Sequence, residues 1–539
     1  MSGRSPRFVP RVLAPAGTPA GDLLAGEGEV RTLLPGLPAD ADALRALAGR
    51  GPARLSADAF GTTGPATREK LERILEGEGV LVSTGQQPDL FLGPLYVLYK
   101  ALGALTLAAA LEERFGVPTL GMFWVASDDH DWDEVGRTRV LDPDGEIREV
   151  RLAPPPGREG RAVGLTATPD RIEDCIAELF QHLPASDFTS LYIESIREAY
   201  LPGRSLGEAF GGLLGELLGD VPLAWLDSAA ARPASAGLFA RAIREREAVS
   251  GALRAGEEGV AGAGYEAQLH RRAGGIPVFV DGPDGRTRLL AVEGAGVKVG
   301  GKGPGRAEEE ILAELEEHPE RFSPNVALRP VLESWLLPVA AVVLGPSETA
   351  YWAELPPLFR WAGVSLPAVR PRPSWTLVEA KVGKVLEKVG AEPAAFADRG
   401  RSLSERVTEE GLPEGVRSAL AEARRSVGAA FGRLEEAVEE ELPGVRGSVG
   451  SARHGAFGAL DDLEKSVRDR VRERQGIVLD QIEKAARHLY PAGEPQERVV
   501  SPFYYLARYG SSFLEAGRKA ASDWEEARGA DVAGPEGAR

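Results

Sequence analysis

A chain of 539 residues, 43% of them hydrophobic, is long enough for a large core and two or three domains. Its formal net charge of −18, from 81 acidic and 63 basic residues, repels phosphate backbones and argues against nucleic acid as a partner. One cysteine, Cys175, rules out an intrachain disulfide. The longest apolar stretch, 335–345, falls well short of the roughly 20 residues of a membrane span, so the expectation is a cytoplasmic protein without a membrane partner.

In chain order, residues 1–78 read as Pro/Gly-rich connections with short helices around 41–47 and 67–75. Residues 79–83 form a buried strand, and after a turn with Gly85 and Pro88 a strongly apolar helix runs over about 94–114. Residues 119–127 are a second buried strand. Strand, helix, strand with short joints is a βαβ unit, which implies a parallel sheet in an α/β fold. A helix over 205–218 and a strand over 221–226 follow. Next comes an antiparallel pair, 276–280 with 288–292, around the turn Asp281-Gly282-Pro283-Asp284-Gly285. An apolar strand over 337–344, a helix over 347–361 and a strand over 365–369 repeat the βαβ pattern.

Beyond about residue 376 the periodicity changes. Val378, Val382, Val385 and Val389 keep heptad-like spacing, and so do Leu420, Val427, Phe431, Leu434 and Val438. Leu460, Leu463, Val467, Val471, Val478, Ile482, Ala485 and Leu489 continue the stripe, with Arg and Glu between. Pro443-Gly444 interrupts it, so two long helices folded into an antiparallel pair are expected. Partly covered shoulders at Val427 and Val471 would then favour a homodimer. Residues 500–515 return to core-like composition, and the tail after Asp523 should fray. The expected division is a core over 1–375 with insertions at about 136–220 and 228–325, a helical coiled-coil domain over 376–500, and a C-terminal segment over 501–539 that returns to the core.

Four clusters carry candidate chemistry. Thr84-Gly85-Gln86-Gln87 follows the first strand and leads through Gly93 into the helix bearing Tyr96 and Lys100. This is the carboxyl edge of a parallel sheet, where ligands bind. Helix-start N–H groups favour an anion there, glycines allow close approach, and the loop is neither a Walker loop nor GxGxxG. Asp128-Asp129-His130-Asp131 follows the second strand at the same edge. Its carboxylates could bind a divalent metal or tune His130 as a general acid/base. Asn325 and Arg329 lie in a third cluster with Gly345, Glu348 and Tyr351, and Arg329 could hold a carboxylate bidentately. Arg372 and Ser374 sit in a fourth, Arg370-Pro371-Arg372-Pro373-Ser374, suited to a phosphate or dicarboxylate. Cys175 has no base beside it and reads as a structural thiol.

The motifs TGQQPDLFLGPLYVLYK (84–100), FWVASDDHDWDEV (123–135), SPNVALRP (323–330), GPSETAYW (345–352), PRPSWTLVE (371–379) and YPAGEPQERV (490–499), in this order, resemble the bacillithiol biosynthesis cysteine-adding enzyme family. That family often has Glu where Asp128 stands and a small residue where Trp375 stands. The resemblance implies a Rossmann-type, nucleotidyltransferase-like core with inserted segments and a coiled-coil domain that dimerises. It implies ligation of L-cysteine, through its carboxyl group, to the amine of glucosaminyl-malate, giving bacillithiol. The resemblance associates an adenine nucleotide with the family without settling that ATP activates the cysteine; some activation is needed chemically, adenylation suits a Rossmann-type core best, and a Mg²⁺ could sit at the acidic cluster. His130, Asp128, Asp131, Gln86 and Gln87 are the expected catalytic residues. Thr84, Gly85, Gly93, Tyr96, Lys100, Asn325, Arg329, Gly345, Glu348, Tyr351, Arg372 and Ser374 are the expected substrate-binding residues. Two other readings stay open on the residues alone: a metallohydrolase using the Asp-Asp-His-Asp cluster, and a scaffold that recruits partners through its coiled coil.

Overall fold

The computed structural model describes residues 5–50, 53–158, 160–219, 221–282, 285–292, 296–300 and 305–529. The chain divides into two compact units, Met1–Leu377 with Glu497–Arg539, and Val378–Gln496.

The first unit is built on a six-stranded sheet. Its strands come from fourteen along the described chain: β1 Arg7–Pro10, β2 Phe60–Thr62, β3 Val80–Gln86, β4 Thr119–Val125, β5 Arg137–Leu141, β6 Ile147–Arg151, β7 Leu223–Asp227, β8 Gly275–Gly282, β9 Gly285–Val292, β10 Gly296–Val299, β11 Phe322–Pro324, β12 Val339–Leu344, β13 Ala368–Pro371 and β14 Trp375–Val378. The large sheet runs β13-β12-β3-β4-β7-β2, parallel throughout except for the antiparallel edge strand β2. A parallel sheet is covered on both faces, and β4 shows how the sequence meets that demand. Leu120, Met122 and Trp124 point into one apolar cluster, Phe123 and Val125 into the other, and every residue of β4 is buried. Each large side chain contributes about 1.5–3 kcal/mol by leaving water.

The Leu95–Phe115 helix packs across β3 and β4 and ends at Gly116 in the left-handed conformation. It is long and apolar enough to cross a membrane, but 72% of its apolar window is buried inside the protein. It therefore replaces 335–345 as the longest apolar element, and it serves as a core helix. The expected pair around 281–285 is part of a four-stranded antiparallel sheet, β10-β9-β8-β11; Pro283 and Asp284 of its turn lie outside the described residues.

Several expectations need correction. The helix expected over 347–361 is two, Pro346–Trp352 and Pro356–Ala362, because Pro356 and Pro357 fit a first helical turn and not an interior. The following strand is β13, shifted to 368–371. The C-terminal helix Ser511–Gly529 continues past Asp523, since Trp524 packs on Trp375 and Glu525 pairs with Arg370 at 2.7 Å.

In the second unit Val378 ends strand β14, and the first helix is Ala380–Val389. The long helices are Glu414–Glu441 and Arg446–Arg474, and Gly476–Leu489 follows as a separate helix. Arg453–Glu435 at 2.9 Å and Arg446–Glu439 at 2.9 Å lace the long pair antiparallel. Val471 is buried at 5% exposure and lies against Gly411, so it forms no open shoulder. In Glu414–Glu441 no residue is buried, while Leu434 and Leu463 are 46% and 51% exposed.

Candidate active site

Parallel register brings the ends of five strands to one edge. Gln86 of β3 lies opposite Val125 of β4, which lies opposite Asp227 of β7, and Leu344 of β12 lies opposite Pro371 of β13. Residues at or just beyond the ends of β3, β4, β12 and β13 enclose a cavity of about 490 Å³, a normal size for a small-molecule site. Gly85, Gln86, Gln87, Tyr96, Lys100, Asp128, Asn325, Arg329, Gly345, Glu348, Tyr351 and Arg372 line it, as do Asp129, Glu134, Arg286 and Arg498.

Lys100 ties the centre of the cavity together. Its buried ammonium donates to the Gly85 carbonyl at 2.8 Å and Gln86 Oε1 at 2.9 Å, and pairs with Glu348 at 2.6 Å. Those three partners use all three of its donors. Burial pulls its pKa below the usual lysine value, opposed by the Glu348 charge. Glu348 also accepts from the Gly345 N–H at 2.8 Å, which closes the start of its helix. At the start of the Leu95–Phe115 helix the Leu95 N–H is taken by the Val500 carbonyl at 2.8 Å. Both helix-start donors named here are thus engaged within the protein. Gln86 donates to the Tyr96 hydroxyl at 3.1 Å, and Gln87 donates to Asp129.

The two arginines expected to hold a dicarboxylate are each paired with a buried glutamate. Arg329 meets Glu333 at 3.0 Å, and Glu333 also accepts from Ser83. Arg372 grips Glu497 through two bonds of 2.8 and 3.0 Å. Ser374 is fully buried and donates to the same Glu497 at 2.8 Å, away from the cavity lining. Thr84 likewise points away and donates to the Val343 carbonyl at 2.8 Å. Asn325 caps the Leu328–Leu336 helix, accepting from Ala327 and Leu328 at 3.0 and 2.9 Å.

The Asp-Asp-His-Asp segment splits in three directions. Asp128 is held by Arg232 at 2.6 Å, and Arg232 also bonds Asp281 at 2.8 Å and the Glu320 carbonyl at 2.6 Å. Asp129 faces the cavity. His130 is 55% exposed with its N–H held by Asp129, and it lines a neighbouring groove with Asp131, which caps the Trp132–Val135 turn. Among the described residues no group of three or more His, Cys, Asp or Glu is arranged to hold a metal ion. Arg232 occupies Asp128, Gln87 occupies Asp129, and the cap occupies Asp131.

Sequence reasoning gave no individual role to Asp129, Glu134 and Arg498 of the lining, and it missed four further residues. Arg286 and Arg232 come from elements without a motif. Asp227, at the end of β7, has its carboxyl beside Ser127, and burial pushes its pKa up to about 6. Asp89 is buried beneath the loop with Oδ1 lacking a hydrogen-bond partner, and burial raises it well above the carboxylate range. It sits in a strained turn in which Phe91, Leu92 and Gly93 have φ of 50°, 64° and 55°. A Cβ on Gly93 would lie 2.5 Å from Asp89 Cβ, so only glycine fits there. Gly93 therefore shapes the loop from behind the cavity wall. Cys175 is buried, its thiol pushed up to about 11 by desolvation, as suits a packing role.

Residues 55–373 match the family model for the bacillithiol biosynthesis BshC N-terminal Rossmann-like domain, and residues 375–523 match the model for the BshC C-terminal coiled-coil domain. The chain belongs to the BshC family of bacillithiol biosynthesis. Relatives carry the name "Putative cysteine ligase BshC". The one from Salinibacter ruber is 33% identical over 83% of this chain and 82% of its own. The one from Heliobacterium modesticaldum is 31% identical over 87% of both. That of Bacillus cytotoxicus is 28% identical over 86% of both. The cavity lies wholly within the Met1–Leu377 and Glu497–Arg539 unit.

Proposed function

We propose that this cavity joins the carboxyl group of L-cysteine to the amine of glucosaminyl-malate, forming an amide in the last step of bacillithiol biosynthesis. The observation that carries the reading is the convergence of four strand ends on one cavity whose lining includes the carboxylates of Asp129 and Glu134, neither held by an Arg or Lys among the described residues. An amine must lose protons as it becomes an amide, and these two groups are placed to attract its cationic form and take a proton from it. Gln86, Gln87 and Tyr96 offer neutral hydrogen bonds suited to sugar hydroxyls.

A free carboxylate is a poor acyl donor. In this reading a cysteine carboxylate oxygen attacks the α-phosphorus of ATP and pyrophosphate leaves. Once one carboxylate of the site has taken a proton from the ammonium, the freed amine nitrogen attacks the acyl carbon, AMP leaves, and the second proton passes to the other carboxylate. Arg498, which lines the cavity without a carboxylate partner among the described residues, suits the anionic intermediates of such a path. A Mg²⁺ arriving with the nucleotide would meet Asp129 and Glu134. Pairing of two copies through the helical unit belongs to the same reading, supported by the exposed Leu434 and Leu463 on its long helices.

The test is incubation of the purified protein with L-cysteine, glucosaminyl-malate and ATP, followed by mass spectrometry. The expected product has the summed mass of the two substrates less one water, with AMP and pyrophosphate in equal amounts. No thiol product would refute the ligase reading, and product without ATP would refute the activation step.

A further inference from the structure

We infer that Arg286 is the carboxylate-binding residue of the cavity and holds the malyl end of the acceptor. The inference rests on the ligase reading for the identity of that acceptor, but the anion site itself stands on the geometry of the β8–β9 hairpin.

Among the cations of the lining only Arg286 and Arg498 lack a carboxylate partner among the described residues, and Arg498 is exposed to solvent whereas Arg286 is held in place. Lys100 is paired with Glu348, Arg329 with Glu333, and Arg372 with Glu497. Arg286 has only neutral partners: Nε donates to Ser323 Oγ at 2.9 Å and one terminal nitrogen to the Pro324 carbonyl at 2.6 Å. Among the described residues no carboxylate lies within ion-pair distance of it. Its guanidinium carbon lies over the Phe279 ring, 4.0 Å from the ring centroid, so the ring covers one side of it. Burial lowers its pKa, and the carboxylates of Asp128, Asp129 and Asp281, beyond ion-pair distance and opposed by the Arg232 charge, offset that only in part.

A buried, unneutralised guanidinium costs stability unless a ligand supplies the missing anion. The side chain is held by three oriented contacts, so the fork is preorganised and loses little freedom on binding. Its other terminal nitrogen has no hydrogen-bond partner among the described residues, and Arg286 lines the cavity. A carboxylate is the matching planar partner. The acceptor of the proposed reaction carries two, whereas the cysteine carboxylate is consumed by the chemistry. Arg286 thus selects the acceptor and leaves the acyl donor untouched.

L-Malate itself is the probe. Calorimetric titration of the full chain is expected to show malate binding, weakened at least tenfold in Arg286→Gln and by less in Arg286→Lys, which keeps the charge and loses the fork. The unliganded Arg286→Gln protein is expected to melt no lower than the parent, since the substitution removes an uncompensated buried charge. In turnover, KM for glucosaminyl-malate should rise with KM for L-cysteine unchanged. Absence of malate binding to the parent, equal binding by Arg286→Gln, or a loss of affinity that comes with a lowered melting temperature in both variants would each overturn the inference. Thiol product formed with an unchanged acceptor KM in Arg286→Gln would overturn it and leave the ligase reading standing. Arg286-dependent malate binding in a protein that makes no thiol would sink the ligase reading and leave the anion site in place.

Discussion

Replacing Asp227 with Asn tests the electrostatics under the site floor. The Asp227 carboxyl is drawn out of water at the end of β7 and lies near Asp128, and its pKa rises from 3.8 to about 6. At about 1.36 kcal/mol per pH unit, that rise corresponds to about 3 kcal/mol, and to about 2 kcal/mol once the remaining solvent contact of the group is discounted. The folded value lies above the unfolded one, so the protonated form is the stabilised form. Its contribution is fully present below pH 3.8 and is lost as pH rises through 6. Asparagine cannot ionise, and its Oδ1 can still accept from the Ala229 N–H, a bond of 2.9 Å in the parent. Asp227→Asn should therefore be more stable than the parent by about 2–3 kcal/mol at pH 7.5, with the gap falling below about 1 kcal/mol near pH 4. Urea unfolding of both proteins at the two pH values measures the gap. A gap that does not change with pH, or a variant less stable than the parent at pH 7.5, refutes the argument.

Other outcomes follow from the same contacts. Arg232→Met leaves Asp128 and Asp281 without their cation, so it should cost about 3–5 kcal/mol in urea unfolding, with part recovered by adding Asp128→Asn. Lys100→Met removes the centre of three contacts around the cavity and should lower kcat/KM by about 100-fold or more through misplacement of Gln86 and Glu348. Asp129→Asn should lower kcat by about 100-fold, while His130→Ala, outside the cavity lining, should stay within about tenfold of the parent; a larger loss in His130→Ala would return that histidine to the reaction. Light scattering should report a dimer for the full chain and a monomer once residues 414–474 are replaced by a short linker.

What the sequence disclosed and what it hid follow from range. Strands β3, β4 and β12 are buried on both faces and read as apolar runs, so the polar residues that end them stand out: Gln86 and Gln87, Asp128 and Asp129, Gly345 and Glu348. Parallel pairing then places all of them at one edge without further information. The direction of each side chain was not legible, because it depends on partners far away. Asp128 turns toward Arg232, 104 positions on, and Arg372 toward Glu497, 125 positions on. Arg286 carried no signal at all: its hairpin pattern is that of an ordinary antiparallel pair, and its burial arises from Phe279 and Ser323 on two other strands. The helical region gave its two long helices through heptad spacing, but the spacing could not show that Val378 completes a strand or that Val471 is covered by the turn at Gly411.

The Arg232 clamp has a consequence for how such a protein can change over generations. One guanidinium bolts the loop after β4 to the hairpin that carries Arg286, through Asp128 on one side and Asp281 on the other. Substitutions in the hairpin and in the loop therefore share a partner, and their effects will not add. A lineage altering its acceptor, or an engineer broadening it, has to move both pieces in step. Intermediates that alter one alone leave a buried carboxylate unanswered, which channels variation toward the outer rim of the cavity and holds the floor constant.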